Sequence, residues 1–263
     1  MIRVLSGAAL IVFAVLVVWF APTVLFVAAG EALLLLAFFE YLKLARASGF
    51  SVPPAVAALA TALTCAAFAG SYSIGLDMVL MTAFVVLGAM ALPRWRGGAD
   101  ALGHAAASLF PLFYLGLPIG ALIAIRETRG REALFLLMLT VIVSDSAQYY
   151  AGRLLGRRLL APAISPKKTI EGAIGGFVFG TAVFAVAGGW WLPIVPAIAR
   201  VGMGMGIVAV GIAGDLFESM LKRSANVKDS SAIIPGHGGI LDRIDALIFA
   251  APFFYVVGRF IQL

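Results

Sequence analysis

Long apolar stretches alternate with short polar segments along the whole chain. A membrane-spanning α-helix needs roughly 20 mostly apolar residues, and about nine stretches approach that length. Runs such as 11–20 and 33–39 are continuously apolar, which favours helices over the alternating strands of a β-barrel. The pattern therefore predicts an all-α, polytopic membrane protein with about nine transmembrane helices. The predicted spans are residues 4–20, 22–41, 53–70, 76–93, 105–125, 133–152, 173–192, 199–220 and 244–261.

The composition supports a lipid environment for these stretches. Of the 263 residues, 62% are hydrophobic and 12% are charged, whereas a soluble globular domain has about 25% charged residues. So few charges cannot coat a water-facing surface of this size. The first stretch lacks a cleavage site after a short apolar core, so we expect a retained helix rather than a signal peptide. The one cysteine, Cys65, excludes an internal disulfide and is expected to be inert packing.

The basic residues predict the orientation of the chain. The net charge of +6 is explained by basic cytoplasmic loops and by attraction of an anionic substrate, so no nucleic acid partner is expected. With the N-terminus in the cytoplasm, fourteen of the nineteen Lys and Arg residues fall in cytoplasmic segments. Given nine spans, this asymmetry predicts an N-inside, C-outside chain. We expect the protein to lie in the cell (inner) membrane. The basic cluster at 126–132 lies outside in this arrangement and runs against the rule.

Polar residues divide the chain into two predicted regions. Residues 1–125 form an N-terminal membrane region of about five spans with few polar groups. Residues 126–263 contain about four spans and two long polar loops, at 153–172 and 221–243, both predicted to be cytoplasmic. We expect this C-terminal region to carry the chemistry.

Charged side chains inside a bilayer are costly and mark candidate functional sites. Glu31 has no polar neighbours in sequence, and a structural and a functional role are equally open. Asp145 lies in a helix end, 144–150, that becomes polar and leads to Arg153. Such a helix end favours a cavity wall.

The eighth predicted span ends in a polar stripe. At about 100° per residue, Glu218, Ser219 and Lys222 fall within about 60° of Asp215. A solvated, snorkelling helix end would explain Lys222 and Arg223. It would not explain Asp215, which lies two turns deeper.

The polar loop after this span contains Lys228 and Asp229, followed by His237, Gly238 and Gly239. Glycine permits a close approach of the backbone, and N–H groups in such loops can hold phosphate oxygens. A plain turn is an equally common alternative.

Two carboxylates, Asp242 and Asp245, open the ninth predicted span. Their spacing places them on one helix face. Mg²⁺ takes few protein carboxylates and completes its shell with water and phosphate oxygens, so the pair suits a magnesium site. The alternative is that the acids stabilise the helix dipole, which suits one of the two.

The other polar loop reads S-P-K-K-T-I-E-G at 165–172. Lys167 and Lys168 precede a glycine-rich helix whose N-terminus could receive an anion. The alternative is a basic anchor at the membrane surface.

These segments together resemble the signature of phosphatidate cytidylyltransferases, also called CDP-diacylglycerol synthases. The segment 145–153 is similar to D-x-x-A-Y-x-x-G-R, although Gln148 stands where a small residue is expected, and 165–172 is similar to SPKKT-x-EG. The resemblance is strong over 140–250, and the first 125 residues match only as apolar helices. The eleven fixed positions matched in the long pattern are Ser219, Lys222, Arg223, Lys228, Asp229, His237, Gly238, Gly239, Asp242, Arg243 and Asp245.

The resemblance implies that CTP and phosphatidic acid give CDP-diacylglycerol and pyrophosphate, with Mg²⁺ required and a second cation allowed. It implies metal ligands at Asp215, Asp242 and Asp245. The expected catalytic residues are Asp215, Lys222, Arg223, Lys228, Asp229, His237, Asp242, Arg243 and Asp245. The expected substrate-binding residues are Asp145, Arg153, Ser165, Lys167, Lys168, Thr169, Glu171, Ser219, Gly238 and Gly239. Because the lipid phosphate is itself the nucleophile, Ser219 is not expected to be a catalytic serine.

Two other classes of function are consistent with intramembrane charge. A transporter could use Glu31, Asp145 and Asp215 to relay protons or bind an ion. Against this, the polar residues of the chain as a whole cluster at one face rather than at the midplane, where transporters bind substrate. A CTP-dependent lipid kinase is the other alternative. Glycine pairs at 172/176 and 202/206 permit close helix packing, either within the chain or in a homo-oligomer.

The charge asymmetry generates a test of topology. We expect residues 165–168 and 228–239 to face the cytoplasm. Single cysteines placed in each loop of a Cys65-free protein should resist an impermeant thiol reagent applied from the periplasmic side. Labelling of either loop from that side would contradict the orientation.

Overall fold

The computed structural model describes residues 2–70, 75–95, 97, 100–231 and 238–261, and 81% of it is helical. A 3₁₀ turn, Leu92–Arg94, and a π-helical segment, Leu112–Gly116, lie between α-helices. The α-helices are α1 (Ile2–Phe20), α2 (Thr23–Ala47), α3 (Pro54–Phe68), α4 (Leu76–Ala91), α5 (Ala101–Pro111), α6 (Leu117–Arg129), α7 (Arg131–Leu155), α8 (Ile170–Trp191), α9 (Ala197–Ser224) and α10 (Leu241–Phe260).

The helices lie close to the predicted apolar stretches. Within the described residues, five helical segments are long and apolar enough to cross a membrane, and α3 and α4 are shorter apolar helices. The five are Thr23–Ala47, Ala101–Arg129, Arg131–Leu155, Ile170–Trp191 and Ala197–Ser224. The predicted class, an all-α polytopic membrane protein, is confirmed, whereas the count of nine spans stays a prediction.

Large apolar side chains cover the outer surfaces of these helices. Phe84 on α4 is 65% exposed, and Trp190 on α8 is 74% exposed. Contiguous exposed apolar surface is rare on soluble monomers. This surface is the one expected of helices that contact lipid.

A two-stranded hairpin interrupts the helical order between α7 and α8. Strand β1 (Leu159–Ala161) pairs in an antiparallel manner with β2 (Ser165–Thr169). The sequence pattern indicates a loop here, because strands this short carry too few positions to show an alternation of apolar and polar residues. The hairpin places the S-P-K-K-T segment on a strand rather than on a helix start.

The described helices and loops pack as two compact units. The first contains Met1–Val17, Ala21–Ala124 and Ser224–Asp242, and the second contains the rest of the chain. The first unit therefore includes the loop after α9. In the prediction from sequence, this loop belongs to the C-terminal region, 126–263. Packing, unlike chain order, groups this loop with α2.

Small residues bring helices together inside the first unit. A Cβ atom at Gly120 of α6 would lie 2.8 Å from the carbonyl oxygen of Cys65 on α3, too close for any other residue without a shift. Leu34 and Phe38 of α2 are fully buried. Cys65 is fully buried as well, as the packing role predicts.

A glycine stripe on α8 packs against α7 in the second unit. A Cβ atom at Gly172 would lie 2.8 Å from the carbonyl oxygen of Gln148, and one at Gly176 would lie 2.9 Å from that of Ser144 and would overlap the Gln148 side chain. The spacing seen at 172/176 therefore serves contact within the chain. By contrast, a Cβ atom at Gly202 would meet nothing within 4 Å.

These glycines provide a matched pair of substitutions. Gly176→Ala should lower the apparent Tm by several degrees, because overpacking typically costs about 1–3 kcal/mol. Gly202→Ala makes the same chemical change in open space, where alanine favours the helix by about 1 kcal/mol, so its Tm should not fall. Thermal unfolding of the purified proteins in detergent checks both. Equal losses would contradict the assigned helix contact.

Candidate functional site

An ion pair joins the hairpin to α9 in the second unit. The ammonium of Lys168 on β2 contacts Oδ2 of Asp215, and both side chains are about three-quarters buried. Lys167 is exposed, since successive side chains of a strand point to opposite faces. The two predicted phosphate-binding lysines are therefore in different environments.

Helices α9 and α10 come into contact at Gly214, the residue before Asp215 of this pair. A Cβ atom at Gly214 would lie 2.6 Å from the carbonyl oxygen of Asp245, so glycine is required where the two backbones meet. Asp215 follows Gly214 directly. The contact thus places two of the predicted metal-binding acids, Asp215 and Asp245, on adjoining helix turns.

Further charges surround this contact. Asp145 of α7, Asp215 and Glu218 all lie close enough to Asp245 to act on it electrostatically. Asp145 in turn lies within the fields of Lys168 and Arg243. The second unit therefore gathers four carboxylates and at least two cations from α7, β2, α9 and α10.

The polar stripe of α9 is buried rather than solvated. Glu218 is fully buried, Lys222 is 9% exposed, and the two form an ion pair one helical turn apart. Removing either partner would leave an uncompensated buried charge, which is strongly destabilising. The snorkelling interpretation does not hold for Lys222. Ser219 is half-buried and Arg223 is exposed, and the Arg223 guanidinium donates to the carbonyl oxygen of Ile164 at 3.3 Å.

Residues on either side of the two hairpin lysines stabilise the hairpin and the start of α8. Thr169 caps α8, its hydroxyl accepting the Gly172 N–H at 3.1 Å. Glu171 accepts the N–H groups of Arg157 and Arg158 at 3.0 and 3.2 Å. Ser165 lies in β2, opposite Ala161. These contacts account for Thr169 and Glu171 structurally, and a substrate contact at any of them stays a prediction.

Gln148, where the family signature has a small residue, supports Asp145. Its amide donates to Oδ1 of Asp145 at 3.1 Å and to Oγ of Ser144 at 3.4 Å. Gly176 on α8 leaves the space that the longer side chain occupies. Asp145 and Arg153 are both exposed, and Arg153 reaches the Tyr149 hydroxyl at 3.5 Å.

Asp242 is tied to the loop that precedes it. Its Oδ2 accepts the Gly239 N–H at 2.8 Å, the Ser230 N–H at 3.2 Å and the Ser230 hydroxyl at 2.9 Å. Gly238 has a φ of 77°, in the left-handed region that favours glycine. The Gly239 N–H is thus directed at a carboxylate of the chain itself, and a phosphate contact at Gly238 or Gly239 stays a prediction. Lys228 and Asp229 are exposed, and His237 lies outside the described residues.

Glu40, which no sequence pattern singled out, is fully buried in the C-terminal half of α2. Its carboxylate accepts hydrogen bonds from Ser230, Ser231, Ile240 and Leu241. A glutamate between Phe39 and Tyr41 at the end of an apolar stretch is the signal that could have drawn attention to it. Because Glu40 is the penultimate residue of the predicted span 22–41, the sequence does not distinguish it from an ordinary charged residue at a helix end.

The described residues contain no group of three or more His, Cys, Asp or Glu side chains arranged to hold a metal ion. The available donors are nevertheless carboxylate oxygens, which Mg²⁺ prefers, and Asp215 and Asp245 lie on adjoining turns. Their chemistry fits a magnesium ion. Convergence of Asp242 with these two acids stays a prediction.

The apolar outer surface and the buried charges at helix ends define an integral membrane protein with a polar site of carboxylates and ammonium groups. The chain belongs to the cytidylyltransferase family, which it matches over residues 1–261. The family resemblance is thereby confirmed.

Relatives in this family are known as phosphatidate cytidylyltransferases. The protein from Helicobacter pylori J99 is 30% identical over 268 residues, covering 99% of this chain and 92% of that protein. The match to the Aquifex aeolicus protein is 40% identical over 150 residues and covers 57% of this chain. The match to the Bacillus subtilis protein is 41% identical over 147 residues and covers 54% of this chain. These two higher-identity matches span 56% and 54% of the relatives' lengths.

Proposed function

We propose that this protein is a phosphatidate cytidylyltransferase of phospholipid biosynthesis. It transfers CMP from CTP to phosphatidic acid and releases pyrophosphate. In this reaction a phosphate oxygen of the lipid attacks the α-phosphorus of CTP, and the bond from that phosphorus to the pyrophosphate oxygen breaks. The family match over 1–261 supports the proposal, as do the relatives' shared name and the charges around Asp215 and Asp245.

The observation that carries the proposal is the pairing of Lys168 with Asp215 beside Asp245. Two anionic substrates must meet, so their repulsion has to be neutralised. Transfer of this kind depends mainly on positioning and on electrostatic stabilisation. A site with lysine ammonium groups for phosphate oxygens and carboxylates for a divalent cation suits it, and no covalent nucleophile is required of Ser219.

The cationic residues divide into fixed and exposed groups. Lys222 is held by Glu218 in the protein interior, whereas Lys167, Arg153, Arg223, Lys228 and Arg243 are exposed and able to reach a nucleotide. We assign Lys167 and Lys168 to the CTP phosphates. Asp229 and His237 belong to the same catalytic set. Thr169, Glu171 and Ser165 contribute by holding the hairpin in place, and Gln148 by orienting Asp145.

Mg²⁺ is the proposed cofactor, and a second cation is allowed. Asp215 and Asp245 would hold it, with Asp242 as the third ligand in addition to its contact with the loop. A metal ion bound there would stabilise the negative charge that develops on the attacking and leaving oxygens.

The proposed location rests on the apolar stretches and the distribution of basic residues along the sequence. We propose nine spans in the cell (inner) membrane, with the site at the cytoplasmic face, where a lipid headgroup and a soluble nucleotide can meet. Membrane lipid, CTP and phosphatidic acid are the proposed partners, and no nucleic acid is expected. Because Gly172 and Gly176 serve contact within the chain, they give no support to a homo-oligomer.

The identity of the product tests the proposal against its rivals. Purified protein should convert CTP labelled at the α-phosphate, with Mg²⁺ and phosphatidic acid, into a labelled lipid and unlabelled pyrophosphate. A CTP-dependent lipid kinase would instead leave the label in soluble CDP, and a transporter would leave CTP intact. Either of these results would exclude cytidylyl transfer.

Asp245→Asn is the most specific test of the proposed metal site. Turnover should fall by about 10²–10³-fold, the scale for loss of an electrostatic contact to the transition state, while Tm changes little because size and shape are kept. Asp242→Asn is less specific. The same oxygen of Asp242 accepts from Ser230 and Gly239, and removal of the charge also weakens those hydrogen bonds.

Asp77→Asn is a matched control, since Asp77 lies in the first turn of α4 and outside the charged cluster. Its turnover and Mg²⁺ dependence should equal those of the wild type. Near-normal turnover of Asp245→Asn at low Mg²⁺ would contradict the metal assignment.

A further inference from the structure

The carboxylate of Glu40 contacts described residues at both ends of the segment that joins α9 to α10. Its Oε1 accepts the Ser231 hydroxyl at 2.5 Å and the Ile240 N–H at 2.9 Å. Its Oε2 accepts the Ser230 hydroxyl at 3.0 Å and the Leu241 N–H at 2.8 Å. Each oxygen therefore binds one hydroxyl and one backbone N–H, and the donors come from both ends of the loop.

The backbone donors are the groups that a helix start leaves unsatisfied. Helix α10 begins at Leu241, and the first N–H groups of a helix have no partner within it. A carboxylate is well suited to that position because the N-terminus of a helix carries partial positive charge. Glu40, on α2, thus caps α10 from a distance of 201 residues in sequence.

Glu40 and Asp242 are linked through Ser230. The Ser230 hydroxyl lies 3.0 Å from Oε2 of Glu40 and 2.9 Å from Oδ2 of Asp242, and its single proton can be donated to only one of them at a time. Ser230 is 5% exposed. The position of the Asp242 carboxylate is therefore coupled to that of Glu40 through a buried hydroxyl.

Gly239 makes this arrangement possible. A Cβ atom there would lie 2.5 and 2.6 Å from the two Glu40 oxygens and would collide with the Ser230 hydroxyl. Its N–H donates to Asp242. The second glycine of the His-Gly-Gly segment is thus explained by the passage of the backbone between two carboxylates.

We propose that Glu40 is a positioning residue, which holds the loop and the first turn of α10 so that Asp242 is correctly placed for cytidylyl transfer. This role rests on the proposed function. Glu40 acts through Ser230, Ser231 and the α10 N-terminus. Four donors are directed at its fully buried carboxylate. These contacts order both ends of the segment between α9 and α10, which is part of the family signature.

Glu40→Gln separates the parts of this arrangement. A glutamine has the size of glutamate, but only one of its two terminal atoms accepts hydrogen bonds. In either orientation, its NH₂ group faces a backbone N–H, from Ile240 or Leu241, that loses its acceptor. The variant therefore disturbs the loop while leaving little change in packed volume.

Hydrogen exchange measured by mass spectrometry on the detergent-purified full chain tests the contact without any substrate. In Glu40→Gln, exchange in the segment 238–242 should be about tenfold faster or more, as expected for loss of hydrogen bonds to a charged group. Ser231→Ala, a milder change, should accelerate the same segment less. Glu127→Gln, which alters the partly buried pair with Arg126 and lies outside the Glu40 cluster, should leave this segment unchanged.

The kinetic measurement separates positioning from general stability. Glu40→Gln should lower kcat at least tenfold and raise the Mg²⁺ concentration for half-maximal activity, with the KM for phosphatidic acid unchanged. The double variant with Ser231→Ala should lose less than the product of the two single losses, since both act in one cluster. In the double variant of Glu40→Gln with Glu127→Gln, the loss of kcat should equal the product of the two single losses.

Two results would overturn the inference. Unchanged exchange at 238–242 in Glu40→Gln would show that the carboxylate does not hold the loop. Faster exchange with normal kcat and Mg²⁺ dependence would show that it holds the loop without positioning the site. If the wild type formed no CDP-lipid, the proposed function would fail, and the positioning role with it. The exchange comparison would still decide whether Glu40 anchors the loop.

Discussion

Ionic groups placed among apolar helices must find partners inside the protein, because neither lipid nor apolar side chains can solvate them. This requirement accounts for the partners of four carboxylates among the described residues. In the second unit, ammonium groups satisfy carboxylates: Lys168 pairs with Asp215, and Lys222 pairs with Glu218. In the first unit, neutral donors of a loop satisfy Glu40 and Asp242.

The two ways of pairing a buried carboxylate, with an ammonium group or with neutral donors, have different chemical consequences. An ammonium that pairs with a carboxylate is also a group that binds phosphate, so Lys168 and Asp215 suit a site where anions and a cation meet. A carboxylate saturated with N–H and hydroxyl donors has no such dual use. It orders the backbone around it, as Glu40 does for residues 240 and 241. Catalysis by electrostatic stabilisation needs both, since charges help only when they are held in place.

Glycine residues make these contacts possible at several helix crossings. Gly214 allows the backbone of α9 to meet that of α10 beside Asp245, and Gly176 accommodates Gln148, which supports Asp145. Gly239 leaves room for two carboxylates. The high glycine content of the chain is thus explained in part by the ionic site, where backbones must approach closely, and not only by general helix packing.

The sequence by itself determined the membrane class, the family and the residue types of the site. These depend on apolar run lengths and on a long local pattern, and both are properties of neighbouring residues. Only the tertiary structure decided that Glu40 binds residues 230, 231, 240 and 241. It also decided that Glu218 and Lys222 are buried and that Lys168 is buried further than Lys167. Those outcomes depend on which distant helices pack together and on the hairpin that turns successive lysines to opposite faces. No local pattern encodes a partner 200 residues away, because its selection is made by packing.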